Sequence, residues 1–253
     1  MDNDDYRRGK LTTHKKFGED FGILAGDGLL NLAYETMLSA IHKAAKTGDA
    51  QAVLRYSAAA DVIANKAGVD GMVGGQSLDV MLTDKPMNEE QLDYIFRLKT
   101  GALIEAAFMA GGIIAGCDEN VTKLLEKTGY NIGFAFQIKD DIFDYYEDKV
   151  IGKPTGNDLR EGKITLPLIY AITHGEGSEN ERMRDLLLSE EYLSSDSVHT
   201  LIEYAKTQGG IEYAYTTMGR IRNEAVDLLS VFPPSETIDA LIAILDYTIE
   251  REK

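Results

Sequence analysis

The run Ile132-Gly-Phe-Ala-Phe-Gln137-Ile-Lys-Asp-Asp-Ile-Phe-Asp144 sets three aspartates, Asp140, Asp141 and Asp144, into an otherwise apolar stretch. On a helix Asp144 lies about 40° around from Asp140 and one turn along it, so the two carboxylates stand side by side with Asp141 flanking them. Like charges at this spacing repel by a few tenths of a kcal/mol, and by more where apolar neighbours exclude water. A divalent cation relieves that repulsion. Magnesium fits best, because it takes one or two protein carboxylates and completes its octahedron with waters and substrate phosphate oxygens. The competing reading is a solvated helix face continuing through Glu147 and Asp148. The next segment of the chain weakens that reading: Gly152-Lys-Pro-Thr-Gly-Asn-Asp-Leu-Arg-Glu-Gly-Lys163 is a Gly- and Pro-punctuated loop that brings Lys153, Arg160 and Lys163 towards the carboxylates. Acid and base together point to a metal-diphosphate site.

Outward from this run the same helical periodicity continues, strand-like alternation is nearly absent, and only 5 prolines occur in the chain. The spacing predicts helices over 17–46, 50–67, 70–82, 88–115, 119–149, 158–174, 179–189, 193–207, 209–231 and 235–251. Asn88, Asp118 and Ser235 read as helix starts, and Gly209-Gly210 as a break. The expectation is an all-α chain, one domain over residues 1–253 with neither repeat nor low-complexity segment.

With 253 residues, 44 % of them hydrophobic and 27 % charged, the chain can bury a sizeable core. Its net charge of −16, without a long basic tract, argues against a nucleic-acid partner. A local basic cradle can still hold diphosphate, with metal ions supplying the remaining positive charge. The lone Cys117 reads as a buried thiol, which excludes a disulfide within the chain and suits a reducing cytoplasm. No apolar run approaches the ~20 residues of a spanning helix, and the charged N-terminus is the opposite of a signal peptide.

Three further clusters carry chemistry. Asp2-Asn-Asp-Asp-Tyr-Arg-Arg-Gly-Lys10 sets acids against Arg7 and Arg8, whose forks match phosphate oxygens. Taken alone, it is also what a charged terminus looks like. The glycines of Gly74-Gly-Gln-Ser-Leu-Asp79 cost roughly 1 kcal/mol each in a helix against alanine, so they mark a close helix approach or a break beside a ligand. Lys99 and Thr100 interrupt the apolar helix through Arg97-Leu-Lys-Thr-Gly-Ala, where the lysine either snorkels to the surface or faces a site. His42, His174 and His199 have no partner at metal-ligand spacing.

In this order the clusters resemble the trans-isoprenyl diphosphate synthases, the farnesyl and geranylgeranyl diphosphate synthase family, along essentially the whole chain. Asp140-Asp-Ile-Phe-Asp144 after Phe136-Gln137 is similar to the family's second aspartate-rich motif. Arg7-Arg8-Gly9 with Thr12 and His14, Gly74-Gly-Gln76 with Asp79, Lys99-Thr100 and Gly152-Lys153 match other family stretches. The resemblance implies an all-α helical bundle around a central cavity, and a reaction joining an allylic diphosphate to isopentenyl diphosphate. It implies that Asp140, Asp141 and Asp144, with Asp2 from the first aspartate motif, bind magnesium. It implies diphosphate contacts for Lys99 and Lys153, joined by Lys163, a division of Arg7 and Arg8 between the two diphosphates, and Thr100 and Gln137 facing the reacting carbons. The product would be farnesyl or geranylgeranyl diphosphate, and the assembly a homodimer to which the apolar helix Gly101–Gly116 contributes. Phe108, Phe134, Phe136 and Phe143 are candidates for an apolar wall around the allylic cation.

The chain departs from the family in places. Asp2 matches only the last member of the first aspartate motif, its leading pair and the preceding helices have no counterpart, and Leu11 stands where the family has proline. The expectation is an N-terminally incomplete chain with impaired turnover. A class I terpene cyclase, which needs one diphosphate site, and a non-catalytic partner subunit of a heteromeric synthase are the competing readings.

Overall fold

The computed structural model describes residues 5–7, 9–82, 91, 94–146, 155–189 and 193–251. A short antiparallel pair, β1 (Tyr6–Arg7) and β2 (Lys10–Leu11), precedes helices α1 (Thr13–Phe17), α2 (Glu19–Thr47), α3 (Ala50–Ala67) and α4 (Met72–Met81). A π-helical turn, Phe96–Gly101, runs into α5 (Ala102–Ala115), and α6 (Glu119–Phe143) carries the aspartates at its end. Then come α7 (Asn157–Arg160), α8 (Leu166–His174), α9 (Gly177–Ser189), α10 (Ser195–Thr207), α11 (Gly210–Leu229) and α12 (Glu236–Glu250). The fold is all-α, as the periodicity requires.

Helix starts follow their caps. The Asp118 side chain accepts from Val121 N at 2.9 Å to open α6, and the Ser235 hydroxyl accepts from Ile238 N at 3.3 Å to open α12. Gly209, at φ +77°, makes the left-handed turn between α10 and α11. The start expected at Asn88 lies outside the described residues. Two expected helices end differently. The one predicted over 119–149 stops at Phe143, where the chain turns under the Asp144 carboxylate. The one over 158–174 divides into α7 and α8 where Gly162, at φ +76°, turns the chain, and Pro167 sits in the first turn of α8, where its missing N–H is harmless.

The core is built around α6. Ala135, Ile138 and Ile142 pack on Ala214, Met218 and Ile221 of α11, while Ile132 meets Ala225, Leu229 and Leu245. A second body of core, with Leu168, Met183, Leu201 and Ile202, joins α8 to α10. On the other side of α6 an ion cluster ties three helices. Lys66 of α3 donates to Glu105 of α5 and, at 2.8 Å, to Glu126 of α6. Burial disfavours the Lys66 charge, but the two glutamates outweigh it and hold its pKa above the ordinary lysine value.

Two expectations need correction. The π turn and α5 form one continuous helix, Phe96–Ala115, of 20 residues that contains an 18-residue window of mean hydropathy 1.4, long and apolar enough by those measures to cross a membrane. Here it packs between α3 and α6, with Lys99 paired to Asp79 and Glu105 to Lys66, and 33 % of its most apolar stretch is buried. Cys117 is half-buried rather than buried.

Glycines set how closely the helices near the acidic run approach. A Cβ on Gly133 of α6 would stand 2.8 Å from Gly101 Cα, and one on Gly129 2.8 Å from Glu105 Cα. On Gly75 of α4 it would collide with the Lys99 backbone nitrogen and lie 2.8 Å from Leu98 Cβ. Both sides of the π turn are thus pressed against neighbouring helices, α4 on one and α6 on the other.

Candidate active site

That double approach aligns the polar residues of the π turn with those of α4 and α6. The Thr100 hydroxyl donates to Gln137 Oε1 at 3.2 Å, and Gln137 Nε2 donates in turn to Asp141 Oδ1 at 3.0 Å. On the opposite side Lys99 Nζ donates to Asp79 Oδ2 at 2.6 Å. Lys163 Nζ stands 3.4 Å from Asp79 Oδ1 and donates to Glu161 Oε2 at 2.8 Å. Burial tends to raise the Asp79 carboxyl, yet the Lys99 hydrogen bond and the Lys163 charge prevail and hold it below the usual range. Lys99 is therefore turned to Asp79 at the cavity, with its side chain still partly exposed.

These groups surround a cavity of about 100 Å³ lined by Asp79, Ile95, Phe96, Lys99, Gln137, Asp141, Asp158, Lys163 and Thr165. A larger cleft of about 360 Å³, lined by residues such as Asp61, Lys66, Tyr94 and Arg97, shares none of them. The smaller cavity is the candidate site, because the acids and cations singled out by the sequence converge on it. Its apolar walls are Ile95 and Phe96. Of the aromatic residues proposed for that role, Phe108 and Phe134 pack in the core, while Phe136 and Phe143 lie against Arg251.

The three aspartates of the run have three different surroundings. Asp141 is buried, and its Oδ2 has no hydrogen-bond partner among the described residues. Burial first, and then the charge of Asp158, push its pKa well above the ordinary value. Asp158 is itself pushed up to about 7 by burial and by Asp144. Asp144 is half-buried, and its carboxylate caps α7, accepting from Asn157 N at 3.0 Å and from Asp158 N at 3.1 Å. Burial raises its pKa against the pull of those two N–H groups. Asp140 receives Arg251, whose guanidinium also donates to Phe136 O at 3.1 Å and lies 3.8 Å over the Phe136 ring. Burial raises the Asp140 carboxyl, opposed by the Arg251 charge and, more weakly, by Arg7.

Among the described residues, no three acids, histidines or cysteines converge closely enough to hold a metal ion by themselves. The residues present still fit a divalent cation that brings its own phosphate ligands. An unpartnered, buried carboxylate oxygen on Asp141, with Asp158 and Asp144 beside it, is a concentration of negative charge that only protons or a cation can relieve.

Lys99, Thr100, Gln137, Lys163, Asp141 and Asp144 are thus brought to one region, and Arg7 stands near enough to Asp140 for its charge to be felt. Asp2, Arg8 and Lys153 lie outside the described residues. Arg160 turns back on its own loop, donating to Thr155 O at 2.5 Å and to Asn157 Oδ1 at 3.3 Å. Sequence reasoning missed Asp158, Phe96 and Arg251 as members of the site and left Asp79 without a role. Asp158 stands within the Gly- and Pro-punctuated loop and could have been found there; Arg251 stands 107 residues beyond Asp144 (251 minus 144) with no local pattern to mark it.

The sequence profile of the polyprenyl synthetase family matches residues 1–205. The chain is 35 % identical to the geranylfarnesyl diphosphate synthase of Aeropyrum pernix over an alignment covering 100 % of this chain and 77 % of that one. It is 38 % identical to the farnesyl diphosphate synthase of Geobacillus stearothermophilus, covering 68 % of this chain and 56 % of the relative. In structure it matches the polyprenyl synthase of Caulobacter crescentus, crystallised with calcium and isoprenyl diphosphate, with a TM-score of 0.74, 27 % identity and coverage of 98 % of this chain and 71 % of the other.

Proposed function

The chain belongs to the polyprenyl synthetase family, a family of trans-prenyltransferases, and from that premise we propose that it condenses isopentenyl diphosphate with an allylic diphosphate in a magnesium-dependent reaction. Farnesyl or geranylgeranyl diphosphate is the proposed product. The observation that carries this reading is the buried, partnerless Asp141 oxygen, next to a cavity that also contains Lys99 and Lys163. A calcium ion and an isoprenyl diphosphate in the Caulobacter crescentus relative support it.

In this reading Asp140 and Asp141 would hold magnesium, which when bound would supply positive charge opposite the departing diphosphate. Asp144 contributes from one turn further along while capping α7. Lys99 and Lys163 leave Asp79 to bind diphosphate oxygens, as Lys153 also does, and preorganised cations aimed at the leaving oxygens are the main catalytic contribution. Arg7 and Arg8 divide between the two diphosphates, and Asp2 completes the metal set. The Thr100 hydroxyl and the Gln137 amide, already linked to Asp141, orient the allylic carbon. Ile95 and Phe96 keep water from the cation.

A homodimer and a cytoplasmic location belong to the same proposal. The apolar surface that supports a dimer lies on α2, where Phe21, Ile23, Leu24, Leu29 and Leu32 are all more than half exposed, rather than chiefly on Gly101–Gly116. Lone Cys117, with no pairing partner in the chain, supports the location.

Incubating the chain with radiolabelled isopentenyl diphosphate, geranyl diphosphate and magnesium, then resolving the products by chain length, tests the assignment. Formation of prenyl diphosphate above the level given by Asp141→Asn is expected. Equal product from both chains would overturn the role of the site, and no product from either would overturn the activity.

A further inference from the structure

The guanidinium of Arg251 occupies a position that no catalytic pattern in the sequence requires. It leaves the end of α12, crosses to α6, and makes its ion pair with Asp140 while its plane lies on the Phe136 ring. Its side chain is 11 % exposed against 43 % for Asp140, so the cation is the more deeply set member of the pair. Its Nε is buried and makes no hydrogen bond, and among the described residues Asp140 and Phe136 O are the hydrogen-bond acceptors of the guanidinium. Lys139, the adjacent cation, points elsewhere, donating to Tyr215 OH at 3.2 Å. Asp140 thus has a resident positive partner in the chain without metal, whereas Asp141 Oδ2 has none.

We propose that Arg251 is a positioning residue acting through Asp140: it is the carboxylate's counter-ion in the metal-free chain, and a divalent cation must displace it to bind there. The inference rests on the metal-diphosphate reading of the site. A carboxylate oxygen that accepts a charge-assisted hydrogen bond offers less of its electron density to a metal, and one such bond is worth about tenfold in an equilibrium. The same displacement frees the end of α12, because Arg251 N also donates to Tyr247 O at 2.9 Å in the last turn. Metal binding and the order of that turn are therefore coupled, with each opposing the other.

Manganese binding to the whole chain, followed by the electron paramagnetic resonance signal of the free ion, tests this without any turnover. Arg251→Gln, which removes the competing charge, is expected to bind manganese about tenfold more tightly than the natural chain. Arg251→Lys, which keeps a cation, should stay within about threefold of it, given that the charge and not the fork is the competitor. Amide hydrogen exchange gives an independent reading on the unsubstituted chain: residues 247–251 should exchange faster when manganese is added. Unchanged or weaker manganese binding by Arg251→Gln, or slower exchange in the last turn with metal, would overturn the proposal while leaving the metal site standing. No manganese binding by any of the three chains would overturn both.

Discussion

Lys99 reaches Asp79 from the π turn at a level where Gly75 of α4 allows no more than a hydrogen atom between the two backbones. The ion pair and the close approach are parts of one arrangement, since a wider α4 would carry Asp79 away from both lysines. Replacing Asp79 by Asn should leave Lys99 and Lys163 without their shared anion and lower the stability of the ligand-free chain by about 1 kcal/mol, a figure kept small because Lys99 is 36 % exposed. Inorganic pyrophosphate, which can take the place of that anion, should then raise the melting temperature of the variant more than that of the natural chain. A smaller rise in the variant would show that Asp79 helps to bind diphosphate rather than standing in for it.

Gly75→Ala should cost about 1 to 3 kcal/mol, the usual range for overpacking, because the atoms it meets are backbone atoms of Lys99 and Leu98 that cannot swing aside. Gly111→Ala is the control. Its added methyl would meet nothing within 4 Å, so urea midpoints should fall for Gly75→Ala and hold or rise for Gly111→Ala.

Much of this arrangement was legible in the sequence. The all-α fold follows from the 3.6-residue period, and acids embedded in apolar residues ahead of a basic loop point to the region where Asp141, Lys99 and Lys163 line one cavity. The paired glycines correctly marked a close helix approach. What could not be read were relations between distant segments. Helical spacing places Asp144 beside Asp140, but nothing local to the run shows that its carboxylate also accepts from Asn157 N and Asp158 N at the start of α7. Phe96, which lines the cavity, was not among the aromatic residues singled out, whereas Phe134 packs on the core, because periodicity along one helix does not say which neighbour it meets.

The cap gives Asp144 a distinct signature. Asp144→Ala should lose about 0.5 to 2 kcal/mol of stability, as helix N-caps do, whereas Asp144→Asn should keep most of it, since an amide oxygen can still accept from the N–H groups. Circular dichroism melts of both variants decide the point. Equal losses would mean that the negative charge, and not the cap, is what Asp144 supplies.

Asp158 makes the ligand-free chain sensitive to pH. Unfolded, its carboxyl titrates near 3.9; folded, burial and the neighbouring Asp144 charge place it at about 7. Between these values the folded chain holds a proton that the unfolded chain has released, so the stabilisation is complete below about pH 4 and is lost as pH rises through about 7. Urea midpoints measured without metal between pH 5 and pH 8 should therefore fall, and Asp158→Asn should flatten that fall. Parallel curves for the two chains would remove Asp158 as the source.

The most direct test of the site is calorimetric titration of the chain with geranyl diphosphate, with and without magnesium, beside the Asp141→Asn variant. With magnesium the natural chain should bind, and removal of the metal or of the Asp141 charge should weaken binding by tenfold or more, the size of one charge-assisted interaction. Affinity that is the same with and without magnesium, and the same in Asp141→Asn, would contradict the account, because the buried oxygen would then have no cation to hold.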